Sequence, residues 1–284
     1  MKDLYQDMTD MILGSVDDAG QWTPCWSGLH AGLPKNAVTN KTYRGVNILS
    51  CWLASMRKGF ACNRWATFKQ WQDAGAQVRK GERGTPIIFY RVVEGANESK
   101  DRVVLKGSHV FNAEQVDGAP DVDAMPIEPL DEGLRIAKIE AWLAMRRWTM
   151  TVEHKGDQRA YYQPSTDSIN MPDYARFVDA EHYYSTLFHE ATHWTGAKHR
   201  LDRDLANYKG EARAREELVA ELGAAFLCAE HGIGHITRDD HVSYIASWLQ
   251  ALKNDKRAIV QAASLASAAI DYLDTLDVPE RMAA

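Results

Sequence analysis

The sequence predicts an α+β protein in two parts, a small mixed α+β domain followed by a mainly helical domain with a small sheet. Three observations carry that reading. Short strand-like runs separated by turn residues fill much of the first hundred or so positions, whereas apolar residues at helical spacing dominate the last hundred and fifty. Between them, residues 113–133 are rich in Asp, Glu, Pro and Gly, the composition of a linker. Charge is segregated as well. Residues 35–91 hold eleven Lys and Arg against only Asp73 and Glu82, a balance of +9 in a chain whose net charge is −6, so the remainder holds −15. The expected boundaries are 1–115 for the first domain, 116–132 for the linker and 133–284 for the second domain.

Taken in order, residues 1–20 read as one amphipathic helix, with Leu4, Met8, Met11 and Ile12 on one side and Gly20 as its stop. A turn over 39–47 leads into a helix from 47 to about 58. A second helix covers 67–74 and closes on Gly75. Residues 76–79 and 86–93 read as strands joined by a turn at 80–85, and 102–105 and 108–112 add two more. Helix returns at 134–147, and a strand pair follows at 149–153 and 159–163. Residues 167–172 are expected to form an edge strand. Helices over 180–195 and 211–231, then a helical pair over 240–276, complete the chain.

The composition excludes several classes. Hydrophobic content of 45% with 25% charged residues is that of a globular chain. No apolar run reaches the roughly eighteen residues of a membrane span, and the first residues lack a basic start followed by an apolar core. Cys25, Cys51, Cys62 and Cys228 have no framework or Cys-x-x-Cys spacing, which points to reduced thiols in a cytoplasmic protein without a membrane partner.

The chemistry is concentrated at His189-Glu190-Ala191-Thr192-His193. On a helix, positions four apart share a face, so His189 and His193 can bind one metal ion. Glu190 then stands where a carboxylate takes a proton from a metal-bound water, the role of a catalytic base. A catalytic zinc site uses three protein ligands and one open position. Glu217 and Glu221, again four apart on a downstream helix, supply the rest: Glu217 as third ligand and Glu221 as the acceptor for a ligand histidine's free N–H, the reverse assignment remaining open. The expected cofactor is one ion of zinc or another divalent transition metal. Tyr208, His231, His241 and Tyr244 are the candidates for stabilising an oxyanion.

The basic stretch interleaves cations with aromatic residues: Tyr43, Trp52, Phe60, Trp65, Phe68, Trp71, Phe89 and Tyr90. Positive grooves with exposed ring faces bind single-stranded nucleic acid. A small domain also buries most of its aromatics, and five or six of these eight are expected in its core.

Two groups of residues resemble one family. Tyr43-Arg44-Gly45-Val46-Asn47, Arg64-Trp65-Ala66-Thr67-Phe68-Lys69-Gln70, Gly75 to Glu82 and Val110 to Gln115 resemble the N-terminal domain of ArdC antirestriction proteins and of TraC-type plasmid primases. His189 to Arg200 together with Glu216 to Phe226 is similar to the zincin-like metallopeptidase domain of the same family. Glu114 and Ala113 depart from the pattern before Gln115. The resemblance implies a plasmid- or mobile-element-encoded protein that binds single-stranded DNA through Tyr43, Arg44, Asn47, Arg64, Trp65, Lys69, Gln70, Arg79 and Lys80. It also implies protection of incoming DNA from host restriction, with a host protein as a further partner if the metal domain cuts peptides. Two other readings stand beside it: a DNA-coating protein with a structural metal, and a cytosolic metallopeptidase without DNA binding.

Overall fold

The computed structural model describes residues 4–13, 32–93, 102–119, 131–146, 149–203, 205, 210–234 and 255–276. The N-terminal part is a mixed domain built on a four-stranded sheet, and the C-terminal part is mainly helical with a small sheet. Helix α1 (Leu4–Leu13) lies within the helix expected over 1–20, whose later part falls outside the described residues. Strand β1 (Lys35–Asn36) pairs in parallel with β2 (Arg64–Thr67), which pairs antiparallel with β5 (Arg102–Asn112). β5 in turn forms a long hairpin with β4 (Thr85–Val93), in register from Thr85 opposite Val110 to Val93 opposite Arg102.

Two strand expectations change here. Residues 102–105 and 108–112 form one strand, because Gly107, which reads as a break, is paired opposite Ile88 within the ladder. β3 (Gln77–Val78) does not pair with β4. It pairs antiparallel with β6 (Val116–Asp117), so the first residues assigned to the linker belong to a two-stranded ribbon. The intervening turn is held from outside by Gln115, whose side-chain amide donates to Glu82 Oε2 at 2.7 Å and to the Arg83 carbonyl at 3.1 Å.

Helix α2 (Val46–Lys58) starts after Gly45, at φ +57, and closes on Gly59 in the left-handed conformation. Its Asn47 clasps β4, donating to the Ile88 carbonyl at 2.7 Å and accepting from the Ile88 N–H at 2.9 Å. Helix α3 (Phe68–Asp73) opens with a capping box in which Thr67 and Gln70 satisfy each other's backbone N–H groups.

In the C-terminal part, α4 (Glu132–Arg146) precedes a three-stranded sheet of β7 (Thr151–Glu153), β8 (Tyr161–Gln163) and β9 (Ser168–Asn170). The expected strand pair and the expected edge strand are both corrected. β7 and β8 do not touch as partners; each flanks β9, which is the fully buried middle strand, so β7 and β8 are the two outer strands. Three residues offer too few positions for an alternating pattern to reveal which strand is central. Helices α5 (Ala180–Thr195), α6 (Gly210–His231) and α7 (Ala258–Asp274) complete the fold close to the expected bounds. The first member of the helical pair over 240–276 lies outside the described residues.

One hydrophobic core runs through both parts. Met8, Val46, Trp52 and Ile88 belong to the same cluster as Phe188, Leu222, Phe226, Ile259 and Ile270. Trp52 meets Phe226 edge to face at 5.7 Å. Smaller clusters form around Trp71 and around Trp65. Among the described residues, no helix is long and apolar enough to cross a membrane.

Candidate metal centre

Helix α5 lies against α6, α7 and strands β8 and β9, so it is buried on almost every side, from Tyr183 through Thr195. Its N-cap is Asp179, whose carboxylate accepts from the His182 N–H at 2.9 Å. Polar groups on such a helix need partners close at hand. The partners come from α6, which approaches α5 where Gly223 faces Thr192. A Cβ built on Gly223 would stand 2.4 Å from Thr192 Oγ1, so glycine sets the spacing at this crossing.

That spacing brings His189, His193 and Glu217 together. The two Nε2 atoms are 3.1 Å apart, and Glu217 Oε2 is 3.4 Å from Nε2 of His189 and 3.6 Å from Nε2 of His193. Ligands at about 2.1 Å from a tetrahedral ion are separated by about 3.4 Å. The three atoms therefore form one face of such a tetrahedron, and the donor set fits a divalent metal. Arg213 Nε lies 3.5 Å from Glu217 Oε1, on the carboxylate oxygen away from the imidazoles.

The electrostatics agree. Burial pushes the Glu217 carboxyl up, but hydrogen bonds with His189 and His193 outweigh it and hold the group far below the usual carboxylate range. Burial acts against a charged His193, yet Glu216 and Glu217 push its pKa up to about 10. Both shifts mean that the carboxylates favour positive charge between the rings.

Glu190 stands outside the ligand set, buried, its Oε2 accepting from the Tyr162 N–H of β8 at 2.9 Å. Tyr162 is itself tied to Asp167 at 2.9 Å, and Asp167 is paired with Arg200, whose guanidinium lies 3.7 Å above the Trp194 ring. Glu221 sits beside His189, its Oε2 3.6 Å from Nδ1. The corresponding group at His193 is one that sequence reasoning missed: Glu216, with Oε1 3.1 Å from Nδ1. The available signal was chemical, since a second ligand histidine needs its own acceptor and Glu216 adjoins Glu217. Of the oxyanion candidates, His231 is packed against Phe188 and Trp142, and burial, with Arg146 adding, brings its pKa down to about 4. Tyr208, His241 and Tyr244 lie outside the described residues.

The residues expected to touch DNA are scattered in role. Trp65 is fully buried and edge to face with Phe60 at 5.9 Å, so its ring offers no free face; this expectation is corrected. Tyr43 is half-buried, its hydroxyl 3.2 Å from the Trp65 carbonyl. Asn47 and Gln70 hold backbone groups, as described above. Arg44 reaches α7 and pairs with Asp271. Arg64 donates to Asn40 at 2.6 Å, Lys69 pairs with Asp73 at 3.0 Å, and Arg79 with Glu82 and Asp117, each at 3.5 Å. Lys80 is exposed. Of the eight aromatics, Trp52, Trp65 and Trp71 are buried, Tyr43 and Phe60 half-buried, and Phe68 and Phe89 exposed; the side chain of Tyr90 is outside the described set. Phe68 and Phe111, edge to face at 6.3 Å, line an open pocket of about 690 Å³ together with Gln77, Arg79, Lys80 and the acidic Glu82 and Asp117.

Fold and site together define a zincin-like metallopeptidase domain, with the His-Glu-x-x-His helix and a downstream glutamate, joined to a mixed α/β domain. Two family models agree: a zincin-like metallopeptidase over residues 137–265, and the N-terminal domain of anti-restriction factor ArdC over 2–117. The crystal structure of the antirestriction ArdC protein of plasmid R388, metal-free, superimposes with a TM-score of 0.81 at 39% identity, covering 96% of this chain and 97% of that one. Its Mn(II)-bound form gives 0.80 at 38%, with the same coverage. The chain belongs to the ArdC antirestriction family. A protein of Sinorhizobium fredii called y4eC is 41% identical over 95% of this chain and 91% of its own length. The DNA primase TraC of Escherichia coli is 37% identical over 89% of this chain, which spans 25% of the primase.

Proposed function

We propose that this protein acts in the cytoplasm, binds incoming single-stranded DNA and protects it from restriction, with a peptidase-type metal centre held ready in the same molecule. The observation that carries the reading is the metal geometry: three ligand atoms at tetrahedral spacing, with a buried carboxylate, Glu190, beside them and outside the set. A purely structural site would fill the fourth position and would have no use for Glu190. Residues 1–117, including β6, take the DNA role, and 133–284 hold the metal, a division supported by the spans of the two family models.

His189, His193 and Glu217 would hold the ion, which supplies Lewis acidity and an acidified water. Glu190 takes and returns the proton, and the Tyr162 N–H fixes the carboxylate that does so. β8, the outer strand beside Glu190, offers the edge on which an extended peptide pairs. On the DNA side, the Phe68 and Phe111 pocket supplies ring surface and Lys80 supplies charge, while Arg79 beside it is paired with Glu82 and Asp117. Of the expected DNA-contacting residues, Lys80, Arg79, Lys69, Arg64 and Arg44 remain as phosphate partners. Tyr43, Asn47 and Gln70 shape the surface that carries them.

The test is transfer of an unmodified plasmid into a restricting host that holds wild-type protein or Glu190→Gln at matched levels. We expect wild type to protect and the variant to lose protection. Full protection by the variant would assign antirestriction to DNA coating and separate it from the metal chemistry. No protection by wild type would refute the reading.

A further inference from the structure

Two buried charges beside the metal centre take no part in the ligand set. Arg203 follows α5 in the chain and is only 8% exposed, and Glu216 on α6 is 7% exposed. Arg203 Nε is 3.0 Å from Glu216 Oε2, and Nη2 is 3.0 Å from Oε1, so both carboxylate oxygens are held. The remaining donors turn to the last turn of α5: Nη1 donates to Thr195 Oγ1 at 2.9 Å and Nη2 to the Thr192 carbonyl at 2.5 Å. Space for this guanidinium is left by Gly196, where a Cβ would stand 2.8 Å from Nη2 and 3.0 Å from Cζ. A guanidinium buried this far is tolerated only when its donors are satisfied, and here they are shared between one carboxylate and the last turn of α5.

That carboxylate is the one at His193 Nδ1. For Nε2 to carry the lone pair a metal needs, Nδ1 must keep its proton and have an acceptor for it. Glu216 also adjoins Glu217. Released from Arg203, it would be free to swing toward the ion or toward Nε2 and compete with the ligands. We propose that Arg203 and Glu216 are positioning residues for the metal, with Arg203 pinning Glu216 to Nδ1 of His193 and so fixing that ring's tautomer and direction. The inference rests on His189, His193 and Glu217 being the ligands.

The experiment uses full-length protein stripped with EDTA, then titrated with Mn(II) and followed by the electron paramagnetic resonance of the free ion. Co(II) loading in parallel reports ligand geometry through its d–d absorption. Glu216→Gln, Arg203→Met and Gly196→Ala, the last displacing the guanidinium without removing a polar group, should each weaken Mn(II) binding about 10–100-fold. The Co(II) band at saturation should change shape, which lost stability alone would not produce. If Arg203→Met fails to fold, Glu216→Gln decides, being isosteric and leaving Arg203 an acceptor. Unchanged affinity in Glu216→Gln, or weaker binding with an unchanged Co(II) band, overturns the proposal. The ligand assignment fails separately, if wild type takes up no Mn(II) or if His193→Ala binds it as wild type does.

Discussion

Gly223→Ala tests whether the crossing of α5 and α6 sets the metal site. The new methyl would lie 2.4 Å from Thr192 Oγ1 and 2.6 Å from its Cγ2, where ordinary contact begins near 3.4 Å, so the helices must part by up to about 1 Å or Thr192 must turn. Turning is opposed by the Thr192 hydroxyl's hydrogen bond to the Phe188 carbonyl at 2.8 Å. Overpacking of this kind costs about 1–3 kcal/mol. Alanine recovers about 0.5–1 kcal/mol through helix propensity. The net expectation is a loss of up to about 2.5 kcal/mol in the metal-stripped protein, read as a lower calorimetric midpoint. Separation at Thr192, the residue before His193, would also stretch the 3.4 and 3.6 Å edges to Glu217 and weaken Mn(II) binding about tenfold or more. Adding Thr192→Ala removes the two closest atoms, leaving Cβ at 3.0 Å, and should restore most of the metal binding. A single variant that is more stable than wild type and binds Mn(II) normally would refute the argument.

Glu217→Ala should abolish stoichiometric metal binding, while Glu221→Ala should loosen it by about 10–100-fold, measured by the same titration; the reverse order would exchange their roles. Phe68→Ala should weaken single-stranded DNA binding by about 1–3 kcal/mol in a fluorescence titration, with wild-type affinity falling steeply as salt rises. Trp65→Ala should instead cost about 3–5 kcal/mol of stability, because its ring is in the core, and a folded Trp65→Ala with selectively weakened DNA binding would reverse that assignment. The raised pKa of His193 gives stability to the stripped protein that is fully present below the ordinary histidine value of 6.5 and lost as pH rises through about 10. The depressed carboxyl of Glu217 contributes above its ordinary 4.5 and fails only as pH falls well below that. Melting of the EDTA-treated protein should therefore fall from pH 6.5 toward 10 while its affinity for Mn(II) rises, since the ion displaces the proton. A flat melting profile over that range would contradict it.

The helices and the ligand set were legible because each leaves a periodic mark. His189 and His193 share a face at four-residue spacing, and Glu217 with Glu221 repeats it. Strand order left no such mark. β9 is three residues long, and β3 finds its partner forty residues away in what composition reads as linker. Trp65 shows the limit of composition, since a tryptophan among cations looks the same whether its ring faces DNA or the core. Arg203 and Glu216 escaped because their meeting is tertiary: an arginine after one helix and a glutamate on the next become partners only when both are buried. Arg44 is similar, since its acid, Asp271, lies at the far end of the chain.

The shared core has a consequence for either half taken alone. Cutting between the halves would strip Met8, Trp52 and Ile88 from Phe226 and Ile270 and leave two greasy wounds. Either half on its own would therefore present that apolar surface to water. The TraC primase, similar to 89% of this chain over 25% of its own length, carries counterparts of both halves side by side.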